Sequence, residues 1–236
     1  DGKQGKHIPL PGRKLRQVCP CNLHSWDDGM VVGHFAVICY PVNVRLSGAA
    51  FSKGHLVTQP QDQGSGGCLQ EIHAGGVVSF PGGGDTTGQK KRQAKELWEA
   101  GCREIDMVMN LTAFRSHEFS YVKEELLAIR EQVPSAIFKV IIEAPQLTEQ
   151  EICQAVDLCV EGRADYVKTS TGWYPGCPST VEQVRIMSRE AAGRIQIKAA
   201  GGIRSLETIQ EMQKAGCSRF GMGMRSVQNL IKSIYK

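Results

Sequence analysis

From Ile137 to Thr171 the chain reads IFKVIIEAPQLTEQEICQAVDLCVEGRADYVKTST. Ile137–Glu143 (IFKVIIE) is a short apolar run rich in β-branched residues, the pattern of a strand buried on both faces. Thr148-x-x-Glu151 is a capping box, with the threonine hydroxyl and the glutamate carboxylate each placed to take an orphan N–H at a helix start. Ile152, Ala155, Val156 and Cys159 follow at helical spacing. Tyr166–Thr171 (YVKTST) is a second strand. Strand, helix, strand is one βαβ unit.

The unit repeats in both directions. Upstream, Gly75–Pro81 (GGVVSFP) and Glu104–Asn110 (EIDMVMN) read as strands. Lys90–Ala100 and the series Phe119, Val122, Leu126, Ile129 read as the helices after them. Downstream, Ser179-x-x-Glu182 caps a helix, Ile195–Ala200 (IQIKAA) is a strand, and Ser205 caps a helix ending near Gly216. Arg219–Gly223 (RFGMG) is a short strand before a last helix from about Arg225 to Tyr235. Successive right-handed crossovers give a parallel sheet in an α/β fold. Ala36–Pro41 (AVICYP) adds a seventh strand, and an eighth would close a (β/α)8 TIM barrel. A doubly wound open sheet is the rival, but no GxGxxG follows an early strand. Residues 1–236 are expected as one domain, with 1–35 an irregular N-terminal segment in which Met30–Val32 could form a strand. Residues 47–76, rich in Gly, Gln and Ser, read as a long loop.

Composition fits this picture. The chain has 236 residues, 41% hydrophobic and 22% charged, enough to bury roughly 70–75% of its unfolded surface without staples. Its net charge of +4 is no nucleic-acid footprint but suits a small anionic substrate. No apolar run reaches the ~18 residues of a membrane span, and no signal-peptide pattern opens the sequence. Nine cysteines, most of them within apolar periodic segments, point to a reducing, cytoplasmic setting. Cys19 and Cys21 with His24 and His34 can be drawn as a zinc site. No second close cysteine pair supports it, and unligated thiols in a loop are the plainer reading.

Charged residues inside buried strands stand out: Asp106, Lys139, Lys168 and Lys198. Period-two alternation puts Glu104, Asp106 and Val108 on one face. Lys168 and Lys198 are one repeat apart, so they should meet on adjacent strands at similar height, ~4.8 Å between strands. Two ammonium groups crowded in a dry interior repel, and one gives up its proton. That is the requirement of an amine nucleophile, with an interior carboxylate such as Asp106 to move protons. Structural pairing with Asp106 or Glu143 would explain one lone strand lysine, but two lysines one repeat apart with an aspartate favour chemistry.

The glycines add an anion site. Gly201-Gly202-Ile203-Arg204 lies between a strand and a helix, where backbone N–H groups and a helix N-terminus favour negative charge. Gly172, Gly221 and Gly223 stand in neighbouring late loops, the usual phosphate site of such barrels. Tight turns alone would also explain them.

The segments EIDMVMN, FKVIIE, ADYVKTSTGW, IKAAGGIRS and AGCSRFGMG, in this order and spacing, resemble the DeoC family of deoxyribose-phosphate aldolases. AVICYP and VVSFPGG are similar to that family's second and third strand motifs. The resemblance implies a class I aldolase that splits 2-deoxy-D-ribose 5-phosphate reversibly into D-glyceraldehyde 3-phosphate and acetaldehyde. It implies that Lys168 forms the Schiff base, that Lys198 stays protonated and depresses the Lys168 pKa, and that Asp106 relays protons through water. Gly172, Gly201, Gly202, Arg204 and Gly221 match phosphate-site positions, Gly223 ends the same strand, and Lys139 and Cys39 stand as supporting residues. No metal, no organic cofactor, no nucleic acid and no membrane is implied; the partner is a small phosphorylated sugar, and a homo-oligomer is compatible.

Three departures accompany the resemblance. No Asp-x-Thr motif appears in Asp1–Val32, so the first strand is expected to be degenerate or missing. The segment between Pro41 and Phe80 is longer and lacks a helix pattern. Met222, Gly223 and Met224 stand where hydroxyl residues usually follow the strand-eight glycine. A sister aldolase with another aldehyde, or a non-catalytic barrel binding phosphate esters, are the alternatives.

Overall fold

The computed structural model describes residues 35–38, 54–58 and 72–234. Eight strands form one sheet: β1 (Phe35–Ile38), β2 (Gly54–Thr58), β3 (Ile72–Val78), β4 (Glu104–Val108), β5 (Ile137–Ile141), β6 (Tyr166–Lys168), β7 (Gln196–Ala200) and β8 (Arg219–Gly223). Their order is β1-β8-β7-β6-β5-β4-β3-β2. From β3 to β8 each strand pairs in parallel with its successor. The crossovers carry α1 (Thr87–Glu99), α2 (Leu111–Arg115), α3 (Phe119–Gln132), α4 (Glu149–Glu161), α5 (Val181–Ala191) and α6 (Leu206–Lys214), and α7 (Met224–Ile234) follows β8.

One end of the sheet follows the sequence reading and the other departs from it. The strand expected at Ala36–Pro41 is β1, which pairs in parallel with β8. β2 lies inside 47–76, where the sequence predicts a long loop, and pairs antiparallel with β3, Leu56 opposite Ala74. A parallel β2–β3 pair would need a packed crossover of a dozen or more residues, and Gln59–Glu71 has no apolar period to supply one. Seven parallel strands, β1 and β3–β8, are therefore described, rather than eight. Residues 1–34, with Met30–Val32 and the drawn zinc ligands, lie outside the described residues, as does Cys39.

Side-chain contacts require the sheet to curl. Asp106 on β4 bonds Lys198 on β7, three strands away or ~14 Å in a flat sheet. Glu104 on β4 bonds Arg219 on β8, four strands away or ~19 Å if flat. The concave face thus draws these residues together. The convex face is apolar: Ile105, Met107, Phe138, Val140, Val167, Ile197 and Ala199 join the helix residues Ala94, Leu126, Ile152, Val156, Val184 and Met212 in one core. Alternation sends odd and even strand positions to opposite faces, so the charges and the helix-facing core share the same short strands.

Local capping follows the sequence at most helix starts. Thr148 and Glu151 form the expected capping box on α4, and Ser205 caps α6. At α5 the cap is Thr180 with Gln183, one residue beyond the predicted Ser179. The Ser179 hydroxyl is turned inward instead, donating to Thr169 Oγ1 or the Ala200 carbonyl, at 2.7 and 2.6 Å.

Candidate active site

Lys168 and Lys198 are direct register partners on β6 and β7. Both Nζ atoms donate to the same oxygen, Asp106 Oδ2, at 2.8 and 2.7 Å. Lys139, register partner of Asp106, donates to Asp106 Oδ1 at 2.8 Å. Lys139 also pairs with Glu104 Oε2 at 2.5 Å, and Arg219 Nη1 donates to that oxygen at 2.7 Å. All six side chains are buried. Four bases therefore face two acids, and full ionisation would leave two positive charges uncompensated in the interior.

The Lys168–Lys198 pair is the place where that excess is felt. Nitrogens sharing one acceptor lie no more than roughly 5–6 Å apart, and two cations at ~5 Å repel by ~3 kcal/mol at an effective dielectric near 20. Burial pushes the Lys198 amine well below its ordinary pKa; Asp106 opposes this, and the charges of Lys168 and Lys139 add to it. The reading of Lys198 as the amine that stays protonated is thus opposed by its burial. What distinguishes the two lysines is access: Lys168, and not Lys198, lines a cavity of about 240 Å³.

The same cavity collects every predicted anion-site residue: Gly172, Gly201, Gly202, Arg204, Gly221 and Gly223. Gly201 and Gly202 have φ of +93° and +77°, and a Cβ on Gly202 would approach Pro178 Cβ to 2.5 Å. Those two glycines serve the turn as well as the cavity. Gly223 is different: its φ is not positive, and a Cβ there would meet nothing within 4 Å. Arg204 is exposed, with no ion pair among the described residues. Ile203 and Arg204, just before α6, and Ser226 in the first turn of α7 line the cavity, and helix N-termini nearby favour an anion.

Several residues at the site were not singled out from sequence. Ser226, in the first turn of α7, lines the cavity and brings a hydroxyl close to Met222, Gly223 and Met224, which carry none. Phe80 forms an apolar wall, edge-on to Trp173 at 5.6 Å. Glu143 does not pair with the lysines. Its carboxylate takes the Thr171 hydroxyl at 2.5 Å and the Thr171 N–H at 3.2 Å, fixing the loop after Lys168. Thr169 Oγ1 accepts the Ala200 N–H at 2.9 Å and donates to the Ala200 carbonyl at 3.0 Å, joining the β6 and β7 loops. Glu104 and Arg219 are the other omissions; the signals were Glu104 sharing the Asp106 face and Arg219 standing in register with Lys198.

Among the described residues no cluster of three or more His, Cys, Asp or Glu could hold a metal, and no helix is long and apolar enough to cross a membrane. Cys102, Cys159 and Cys217 are buried free thiols, and burial pushes Cys217 up to about 12, which makes it unreactive.

Residues 50–231 match the family model of DeoC/LacD family aldolases. The chain belongs to that family. It is 47% identical over 145 residues to a deoxyribose-phosphate aldolase of Aquifex aeolicus, covering 61% of this chain and 66% of the relative. It is 40% identical over 179 residues to the deoxyribose-phosphate aldolase of Klebsiella pneumoniae, covering 76% and 70%. A solved structure named QR15, an aldolase, superposes with a TM-score of 0.64 at 42% identity, covering 68% of this chain and 72% of that one. The chain thus spans about two thirds of the length of these DeoC/LacD relatives.

Proposed function

We propose that the chain is a Schiff-base lyase that cleaves 2-deoxy-D-ribose 5-phosphate reversibly to D-glyceraldehyde 3-phosphate and acetaldehyde. The observation that carries this reading is the sharing of Asp106 Oδ2 by two lysines of which only Lys168 reaches the cavity. Lys168 is the nucleophile. Its neutral amine adds to the substrate aldehyde, and loss of water gives the protonated imine, an electron sink for the carbon–carbon bond that breaks. Lys198 keeps the pair short of a proton. Asp106, bonded to both, passes protons between the lysines and, through water, to the substrate. Lys139 holds the other carboxylate oxygen.

The phosphate sits at the far side of the cavity, against the N–H groups of the Gly201–Gly202 turn and the starts of α6 and α7, with Arg204 and Gly172 at its edge. Gly221 and Gly223 leave the room it needs. The seven parallel strands support a barrel of the (β/α)8 type built as one domain, with antiparallel β2 in place of a parallel strand. Buried free thiols suit a cytoplasmic setting.

The direct test is incubation with acetaldehyde and borohydride, followed by peptide mass spectrometry. One ethyl group should appear on the peptide containing Lys168. An adduct on Lys198, or none on either lysine, would overturn the assignment.

A further inference from the structure

The buried charges run beyond the groups that touch substrate in this reading. Glu104 opens β4 and Arg219 opens β8, and neither they nor Lys139 lines the cavity. Glu104 Oε2 nonetheless holds Lys139 Nζ and Arg219 Nη1 together. Lys139 in turn grips Asp106 Oδ1, leaving Oδ2 alone to serve Lys168 and Lys198. The Arg219 guanidinium is fixed from its other side, lying over the Tyr166 ring at 4.6 Å. Glu104 Oε1 and Arg219 Nε are buried without hydrogen-bond partners among the described residues. The protein thus tolerates two unmet polar atoms here, a cost that a cluster serving stability alone would be expected to avoid.

We infer that Glu104 is a positioning residue for the reaction. Through Lys139 it sets the rotation of the Asp106 carboxylate, and its charge holds down the positive excess around the two reactive lysines. The inference rests on the assignment of Lys168 as the nucleophile. It makes two separable demands. Removing the Glu104 charge makes the cluster more positive, so the lysine pair loses a proton at lower pH. The same change frees Lys139 to draw on Asp106, which becomes a poorer base for moving the proton at the aldehyde methyl carbon.

Glu104→Gln keeps the size and an acceptor oxygen while removing the charge. The pH at which imine trapping by acetaldehyde reaches half its maximum should move down by about one unit. Exchange of acetaldehyde methyl protons with deuterated water, followed by NMR, should slow by about tenfold, with KM for the sugar phosphate within about twofold. A merely structural glutamate would lower the yield of folded protein and leave the trapping midpoint where it was. Lys139→Met supplies the second arm, because Glu104 keeps Arg219 as its partner and the fold loses an uncompensated cation. Its trapping midpoint should move up, opposite in sign, while its methyl exchange also slows. Adding Glu104→Gln to Lys139→Met should change exchange by less than the single change does, since the path through Lys139 is already cut. Unmoved midpoints in both single variants, or fully additive exchange losses, would overturn the role of Glu104. If the wild type itself is not trapped on Lys168, the nucleophile assignment fails first and this inference goes with it. If it is trapped there while the variants behave as wild type, only the inference about Glu104 fails.

Discussion

Two sets of buried charges sit on opposite faces of the same sheet, and they differ in kind. On the convex side Lys90 of α1 pairs with Glu125 of α3 at 2.7 Å, both side chains sealed from solvent. Lys90 Nζ also donates to the Val108 carbonyl at the end of β4. One base meets one acid, and neither touches the cavity. Burial pushes the Lys90 amine down and the Glu125 carboxyl up, and each partner counters the shift of the other. On the concave side four bases meet two acids, two lysines share one oxygen, and Lys168 reaches the cavity. A matched, enclosed pair serves to join helices to a strand. An unmatched cluster with an opening suits the reactive amine proposed for Lys168.

The sharpest way to break that contrast is to remove one amine from each set. Lys168→Leu should abolish both the borohydride-trapped adduct and turnover, a loss of about a thousandfold or more, with little change in stability because one uncompensated cation is gone. Measurable turnover above about a tenth of the wild-type rate would show that the concave cluster is as structural as the convex pair.

Lys198→Leu separates helper from nucleophile. The second amine that shares Asp106 Oδ2 disappears, so Lys168 should keep the proton that the pair otherwise lacks. Its adduct should form about a hundredfold more slowly at pH 7 and recover roughly tenfold per unit toward pH 10, as the neutral fraction rises. Trapping rates followed across that range are the measurement. A flat profile, or an adduct rate at pH 7 equal to the wild type's, would mean that crowding with Lys198 does not activate the amine.

Lys90→Met tests the other side. Breaking a buried pair leaves an uncompensated carboxylate and should cost ~3 kcal/mol or more in urea unfolding, while the double change Lys90→Met with Glu125→Leu recovers most of that loss. Turnover per folded molecule should stay within about twofold in the double variant. A catalytic defect there that survives correction for folded fraction would mean that the convex pair also acts on the site, through Val108.

Much of this was legible in the sequence because strands are read by exception. A lysine in an otherwise apolar strand must be explained, and Lys168 and Lys198 fell in register because the repeat between them is regular. Glu104 and Arg219 were harder to see, since a charge at a strand's first residue is ordinary and only the curl of the sheet brings them together across four strands. Ser226 was missed because its hydroxyl comes from a helix turn rather than from the strand-end motif. β2 was missed because GHLVT holds too few strand formers to stand out from a Gly- and Gln-rich stretch. Its partner β3 supplies the pairing that its own sequence does not advertise. The Ser179 cap shifted by one residue because two hydroxyls stand side by side there, and only the sheet behind them decides which one turns inward.

The smallest expected effect concerns the cavity, the feature the convex pair lacks. Arg204 is exposed and unpaired among the described residues, at the entrance to α6. An exposed guanidinium bonds phosphate through water-screened contacts, so its share of binding is modest beside the backbone N–H groups of Gly201 and Gly202. Arg204→Ala should raise KM for 2-deoxy-D-ribose 5-phosphate by about three- to tenfold and leave KM for unphosphorylated deoxyribose nearly unchanged. The gap between the two substrates should narrow further as salt is added, because the lost interaction is the screened one. Equal rises for both substrates would make Arg204 a structural residue of the β7–α6 turn, and the anion would then be held by the backbone and helix starts alone.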